Sequence, residues 1–183
     1  MHSLFKVPLF FLCVAAGIGL LLRWHSYEPI EGLVFPYWLH AHSHLMFLGW
    51  LFNAITLGFV TCFIPVPAQK SYYRLLILLN ILVLGMLFTF PLQGYGRYSI
   101  ILSFSHTLAA LGFGWQFFKD TRERTKDLPI RLARWAFVFF LVSSLAPVAI
   151  GVLSANGQGQ SQLYYLAVYF FLHFQYNGAF TFG

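Results

Sequence analysis

Residues 36–55 read PYWLHAHSHLMFLGWLFNAI and place three histidines, His40, His42 and His44, at the start of a long apolar run. A helix needs about 20 consecutive apolar residues to cross the hydrocarbon core of a bilayer. Titratable side chains in such a segment are costly and by default mark a functional site with a partner. The stretch therefore predicts a transmembrane helix that carries a ligand site near one end.

The composition of the whole chain indicates a membrane protein. The 183 residues are 59% hydrophobic and only 9% charged, and 22 of them are phenylalanine. A soluble globular domain has about 25% charged residues, whereas a bundle that faces lipid needs few. The net charge of +6 comes from short basic segments between apolar runs, which set topology. We expect contact with the lipid bilayer and no nucleic-acid partner.

Six apolar segments are long enough to cross about 30 Å of hydrocarbon as helices. The sequence predicts an all-α fold, a polytopic transmembrane helix bundle of about six spans that forms a single domain over residues 1–183. The predicted spans are Leu4–Leu22, Leu39–Ile64, Tyr72–Leu92, Tyr98–Phe118, Trp135–Leu153 and Leu163–Phe182.

The basic residues are divided unevenly between the two sides of the predicted bundle. Only Arg23 and Arg97 lie on one side. The nine on the other side are Lys6, Lys70, Arg74, Lys119, Arg122, Arg124, Lys126, Arg131 and Arg134. Cytoplasmic loops carry the excess of Lys and Arg, so we expect a cytoplasmic N-terminus.

The remaining histidines of interest lie in other spans. His106 is in span four within SFSHT, and His173 is in span six within FLHFQYNG. Spans two, four and six run from the same face, so we expect these histidines and those of span two in the outer half of the bundle. On a helix, His40 and His44 share a face at spacing i, i+4, whereas His42 points roughly opposite. At most two of these three belong to one site.

The chemistry of the predicted spans favours haem iron or copper. No Asp or Glu lies within any span, which removes carboxylate ligand sets and proton relays. Imidazoles from apolar helices suit haem iron and copper. One alternative stays open: the histidines only satisfy buried hydrogen bonds, with His106 bonded to a carbonyl or to Ser103. Asn53 and Asn80 would then join helices in a structural or transport bundle.

Span two, from HAHSHLMFLGW to TCFIP, resembles helix two of the haem-copper oxidase subunit I superfamily, which carries an axial histidine ligand of the low-spin haem near its outer end. The same stretch is similar to the NnrS family of haem- and copper-containing membrane proteins. Its pattern H-x-H-x-x-x-x-G-aromatic corresponds here to His42, His44, Gly49 and Trp50. The resemblance implies a haem cofactor with His42 or His44 as its ligand.

Residues 173–178, HFQYNG, resemble the helix-six motif of the nitric oxide reductase branch, in which a histidine binds the non-haem metal. The resemblance implies copper or non-haem iron at His173, and we take His106 and His40 as further candidate ligands. The glutamate of that motif is replaced by Asn177. No catalytic residue is assigned, and whether the protein is an oxidoreductase or only binds its cofactor stays open.

The resemblance covers the first half of the superfamily's architecture, because its further histidine ligands come from later helices. Two alternatives follow: the sequence is the N-terminal half of a longer protein, or it works with a partner subunit or as a homo-oligomer. We expect a redox or gas-binding haem protein of the bacterial inner membrane that resembles part of a respiratory oxidase or nitric oxide reductase. A non-enzymatic haem or metal carrier or a nitric-oxide-response protein is the alternative.

Overall fold

The computed structural model describes residues 5–159 and 161–183. Helices take up 86% of the described residues, which contain no strand. The all-α prediction is therefore confirmed. Leu4, where the first predicted span begins, lies outside the described residues.

The chain divides into two compact units, with the boundary between Ala110 and Leu111. A helix, α5, runs across this boundary. Unit 1 contains α1 (Lys6–Tyr27), α2 (Phe35–His44), a first π-helix (Leu45–Phe52), α3 (Asn53–Phe63), α4 (Gln69–Gln93) and the start of α5 (Arg97–Asp120). Unit 2 contains the rest of α5, α6 (Leu128–Ser143), α7 (Leu145–Ala155), α8 (Gln162–Phe174) and a second π-helix (Gln175–Phe180).

Five helical segments of the described chain are long and apolar enough to cross a membrane. They are Lys6–Tyr27, Phe35–Phe63, Val66–Gln93, Arg97–Asp120 and Leu128–Ser154. The sixth predicted span is also helical, as α8 and the second π-helix, but is not among these five. Large apolar side chains point outward from the helices, such as Leu92 at 82% and Trp115 at 78% exposure. Such a surface is consistent with an integral membrane protein in contact with lipid.

Helix α1 packs through one face. Its buried residues include Phe11, Ala15, Ile18 and Leu22, which recur every three or four positions and so form a single stripe. This stripe forms one buried cluster with Leu45, the first residue of the first π-helix. The packing brings α1 against the helix that carries the histidine triplet.

The turn between α4 and α5 requires a glycine. Gly94 has a φ of +56°, a backbone conformation that L side chains rarely adopt. A Cβ atom added to Gly94 would also lie 2.5 Å from the ring of Tyr37 on α2. Glycine therefore satisfies both the backbone conformation and the close approach of α2. The next residue, Tyr95, reaches the histidines of α2.

Candidate functional site

Two histidines of α2 face an aromatic surface. The ring centroids of His44 and Phe90 on α4 are 4.3 Å apart, and those of His40 and Tyr95 are 4.4 Å apart. Both imidazoles are half-buried. The predicted common face of His40 and His44 is confirmed, because the same pair of aromatic residues contacts both rings.

The third histidine, His42, points away from that surface and toward α1. Its Nδ1 atom lies 2.8 Å from the carbonyl oxygen of Ala15. A Cβ atom added to Gly19 would lie 3.0 Å from Cε1 of the His42 ring. The absence of a side chain at Gly19 therefore gives the imidazole its space on α1. The prediction that His42 points to a different side from its two neighbours is confirmed.

The hydrogen bonds of His42 and His44 fix their tautomers. A carbonyl oxygen can only accept, so Nδ1 of His42 carries the proton that it donates to Ala15. The same holds for His44, whose Nδ1 donates to the carbonyl of His40 at 2.9 Å. In the neutral ring, Nε2 then keeps its lone pair. A carbonyl that holds Nδ1–H in this way is the usual second partner of a metal-binding histidine.

The helix changes its winding directly after His44. Residues Leu45–Phe52 form a π-helix, an element that is rare and frequently found at functional sites. Gly49 lies within it, and a Cβ atom there would be only 2.7 Å from Cγ of Phe11. Gly49 therefore has no side chain at the contact with α1, and this lets the first π-helix and α1 approach closely.

A similar local arrangement occurs in unit 2. The second π-helix, Gln175–Phe180, follows closely after His173, and Gly178 lies five residues after that histidine as Gly49 does after His44. A Cβ atom at Gly178 would lie 2.6 Å from the side chain of Phe139 on α6. Each unit thus contains a histidine shortly before or at the start of a π-helix. A glycine within that π-helix packs against a phenylalanine side chain.

His106 is buried without a polar partner. It is 1% exposed, and neither ring nitrogen makes a hydrogen bond within the described residues. Its ring meets the ring of Phe52 edge-on at 5.7 Å between centroids. The alternative of a bond to Ser103 is not realised, because the Ser103 hydroxyl donates to the carbonyl of Ser99 at 2.8 Å. A hydrogen bond within the described residues therefore does not explain why the His106 imidazole is buried.

His173 lies in unit 2 and is exposed on α8. The Nδ2 amide of Asn177 lies 3.3 Å from its Nδ1 atom, so in this arrangement Nδ1 accepts and Nε2 carries the proton. This tautomer is the opposite of the one at His42 and His44. The neighbouring Gln175 is buried and donates from Nε2 to the Ser143 hydroxyl at 2.9 Å.

The structure brings together His40 and His44 and separates His42 from them. His106 contacts Phe52, the last residue of the first π-helix, eight positions after His44. Across the described residues, no group of three or more His, Cys, Asp or Glu side chains could hold a metal ion.

Three contributors to the site have no signal in the sequence. Ala15 and Gly19 belong to α1 and look like ordinary residues of an apolar helix, while Tyr95 looks like a turn residue. Only the packing of α1 and the α4–α5 turn on α2 brings them to the histidines. The Asn53 and Asn80 amides, by contrast, bond to each other as the structural alternative expects.

These features define an all-helical protein with five segments of membrane-crossing length and a histidine-rich face on its second helix. No protein-family model, curated protein or solved structure matches the chain.

Proposed function

We propose that this protein is an integral membrane haem-binding protein in which His42 supplies an axial ligand. The hydrogen bond from His42 Nδ1 to the Ala15 carbonyl carries the proposal, because it joins two helices and leaves Nε2 with its lone pair. His44 has an equivalent tautomer, but its bond is to the carbonyl one turn earlier in its own helix. The inter-helix bond favours His42 over His44 as the haem ligand.

The residues around His42 fit a haem ligand. Gly19 leaves room for the ring, and the bond to the Ala15 carbonyl holds the proton on Nδ1, so the Nε2 lone pair would be the atom that binds the iron. In a membrane, the apolar residues of α1 and α2 would limit the access of water to a bound haem, which tunes its reduction potential. When bound, a haem supplies electron transfer or reversible gas binding at its iron. His42 anchors that group, and the Ala15 carbonyl raises the basicity of the imidazole.

The proposed topology has six spans with a cytoplasmic N-terminus, in the bacterial inner membrane. The basic residues Lys70 and Arg74 in the first turns of α4, and Arg122, Arg124 and Lys126 between α5 and α6, support this orientation. Counting α8 and the second π-helix as the sixth span keeps His173 within the membrane, where its exposed side chain would face lipid or a partner subunit. We propose that His173 is a ligand of copper or non-haem iron. It would bind the metal through Nε2 after its proton moves from Nε2 to Nδ1.

The proposed role is redox or gas binding, in line with the resemblance to the oxidase and nitric oxide reductase superfamily. The alternative role is that of a non-enzymatic haem carrier or nitric-oxide-response protein, which would bind haem through the same histidine. The two differ in turnover: an oxidoreductase consumes oxygen or nitric oxide, whereas a carrier binds carbon monoxide or nitric oxide without consuming it. Asn177, in place of the reductase glutamate, favours binding without turnover.

A second candidate function, a structural or transport bundle, is supported by one observation. The amides of Asn53 and Asn80 bond to each other between α3 and α4, which is how polar side chains join helices in a membrane. In this alternative the histidines only pack, and purified protein from haem-supplemented cells is colourless.

The test compares haem content in three single variants. Wild-type protein and the variants His42→Ala, His44→Ala and His40→Ala are purified from haem-supplemented cells, and their oxidised and reduced absorption spectra are recorded. We expect a Soret band in the wild type that shifts on reduction, loss of most of it in His42→Ala, and retention in His40→Ala. Equal Soret intensity in all three variants, or a haem-free wild type, contradicts the proposal.

A further inference from the structure

His25, in the last turn of α1, accepts a hydrogen bond from the connection between α1 and α2. Its Nδ1 atom lies 3.0 Å from the backbone nitrogen of Ile30, five residues later. A backbone N–H group can only donate, so Nδ1 must present its lone pair. In the neutral ring the single proton is then on Nε2. The bond therefore exists only while the imidazole is neutral.

This bond attaches a defined turn to the end of α1. The backbone N–H of Leu33 donates to the carbonyl of Ile30 at 3.2 Å, which closes a four-residue turn over residues 30–33. Gly32 has a φ of +77°, as the third position of a type II turn requires. The side chain of Leu33 packs against the buried cluster that α1 helps to form. The turn is thus held at Ile30 by His25 and at Leu33 by the core.

The His25 ring also contacts the start of α2. It stacks on the ring of Phe35, the first residue of α2, with centroids 6.2 Å apart and ring planes inclined by 26°. The ring is only half-buried, and its sequence neighbours Trp24 and Ser26 are exposed, so solvent has access to it. A change in the protonation of this one side chain therefore acts at the connection between the two helices.

The other titratable groups near the connection do not bond to His25. Within the described residues, none of them makes a hydrogen bond, ion pair or ring contact with its ring. On α1 and in the connection these groups are Arg23, Tyr27, Glu28 and Glu31, all exposed.

The elements that pack against α1 direct their titratable groups elsewhere. On α2, Tyr37 lies against Gly94, His42 bonds to Ala15, and His40 and His44 contact Phe90 and Tyr95. The first π-helix has no titratable side chain, and α3 has Cys62, which is exposed. His25 is therefore the group whose protonation acts on this turn.

We propose that His25 is a pH-sensitive switch in the connection between α1 and α2. When the ring takes a second proton from solvent, Nδ1 becomes a donor that faces the Ile30 N–H group. The bond is then lost, and the turn over residues 30–33 is released from α1. Histidine changes charge between pH 5 and 8, so the turn is attached at the upper end of this range and released at the lower end. The proposal does not rest on the haem, because the bond involves neither His42 nor Ala15.

The test measures hydrogen exchange at the Ile30 amide. Protein labelled with isotopic isoleucine is purified in detergent, and NMR gives the exchange rate of this amide at about pH 8 and about pH 5. The rate for an unstructured peptide at the same pH, divided by this rate, gives the protection factor and removes the intrinsic pH dependence of exchange. The amide of Ile18, in the buried face of α1, reports in each sample whether the protein is folded.

Two substitutions separate the acceptor from its titration. His25→Asn keeps an acceptor, because Oδ1 of asparagine lies where Nδ1 lies in histidine, but it takes up no proton at these pH values. His25→Ala has no acceptor there. In a third variant, Glu28→Gln is combined with Glu31→Gln, which removes the nearby carboxylates and leaves His25 in place.

We expect the protection of Ile30 in the wild type to fall at least about tenfold from pH 8 to pH 5, because each pH unit below the titration point lowers the neutral fraction about tenfold. Protection should not depend on pH in His25→Asn and should be low at both pH values in His25→Ala. The glutamine variant should behave like the wild type.

Three results would overturn the proposal. The first is equal protection of Ile30 at the two pH values in the wild type. The second is a loss of protection at low pH in His25→Asn that is as large as in the wild type. The third is a glutamine variant without pH dependence, since this would assign the effect to the carboxylates. Nitrogen NMR of the His25 ring gives a further readout without any substitution: at pH 8 it should show the proton on Nε2 and the lone pair on Nδ1.

Discussion

Nδ1 of His42 on α2 lies 2.8 Å from the carbonyl oxygen of Ala15 on α1, and this bond holds the imidazole between the two helices. The ring occupies the space left by Gly19, one turn further along α1. The backbone of α1 therefore holds the side chain of His42 on α2 in one orientation. Changes on α1 should alter ligand binding on α2 without touching the ligand itself.

Gly19 gives the first prediction. Gly19→Val should reduce haem content by at least about tenfold, because a displaced His42 ring loses the carbonyl that orients it. Haem per chain is measured from the Soret band. Gly17→Val is the matched control, since a Cβ atom at Gly17 meets nothing within 4 Å. Equal haem content in the two variants would show that the space at Gly19 does not hold His42.

Gly49 tests the packing of the first π-helix. Gly49→Ala should destabilise the protein by about 1–3 kcal/mol, because the new Cβ atom would lie 2.7 Å from Cγ of Phe11 and force the helices apart. Unfolding by denaturant in mild detergent measures this change. Gly58→Ala, where a Cβ atom meets nothing within 4 Å, should be neutral or stabilising. A stable Gly49→Ala would mean that Phe11 moves aside freely.

The Asn53–Asn80 pair should couple α3 to α4. Each amide also donates to a carbonyl one turn earlier, Asn53 to Gly49 at 3.2 Å and Asn80 to Leu76 at 2.6 Å. A double-mutant cycle with Asn53→Ala and Asn80→Ala should give a coupling free energy of about 0.6 kcal/mol, typical of polar pairs in membrane proteins. Additive effects within error would mean that each amide serves only its own helix.

Two glycines with positive φ separate backbone strain from steric clash. Gly94→Ala should be more destabilising than Gly157→Ala, although their φ angles are +56° and +72°. Both variants carry the strain of a positive φ, of about 1–3 kcal/mol, and Gly94 adds a ψ of −133° and the Tyr37 ring against its Cβ position. Thermal unfolding of the two variants checks the order. The reverse order would contradict the close approach of α2 to this turn.

Several parts of the structure follow from residue pattern alone. The apolar runs predict helices, and the i, i+4 spacing predicts that His40 and His44 share a face that His42 does not. Both predictions are confirmed. The number of spans, the single domain and the side of the N-terminus stay predictions, because apolarity and charge counts describe segments and not their final placement in a bilayer.

Other features depend on tertiary packing and have no local signal. No sequence pattern distinguishes the π-helix after His44 from ordinary α-helix, because the extra residue per turn follows from packing rather than from propensity. The Ala15 carbonyl and the space at Gly19 are backbone features of another helix. The sequence allows a hydrogen bond as one role for His106, and the packed structure contains no such bond among the residues it describes.

Chemical rescue at His42 tests most directly whether this side chain is the haem ligand. In His42→Gly, the haem and its Soret band should be lost on purification, and added imidazole should restore both by occupying the vacated ligand position between α1 and α2. The same treatment of His40→Gly should change nothing. Retention of a wild-type Soret band by His42→Gly without imidazole would contradict the assignment of His42 as the haem ligand.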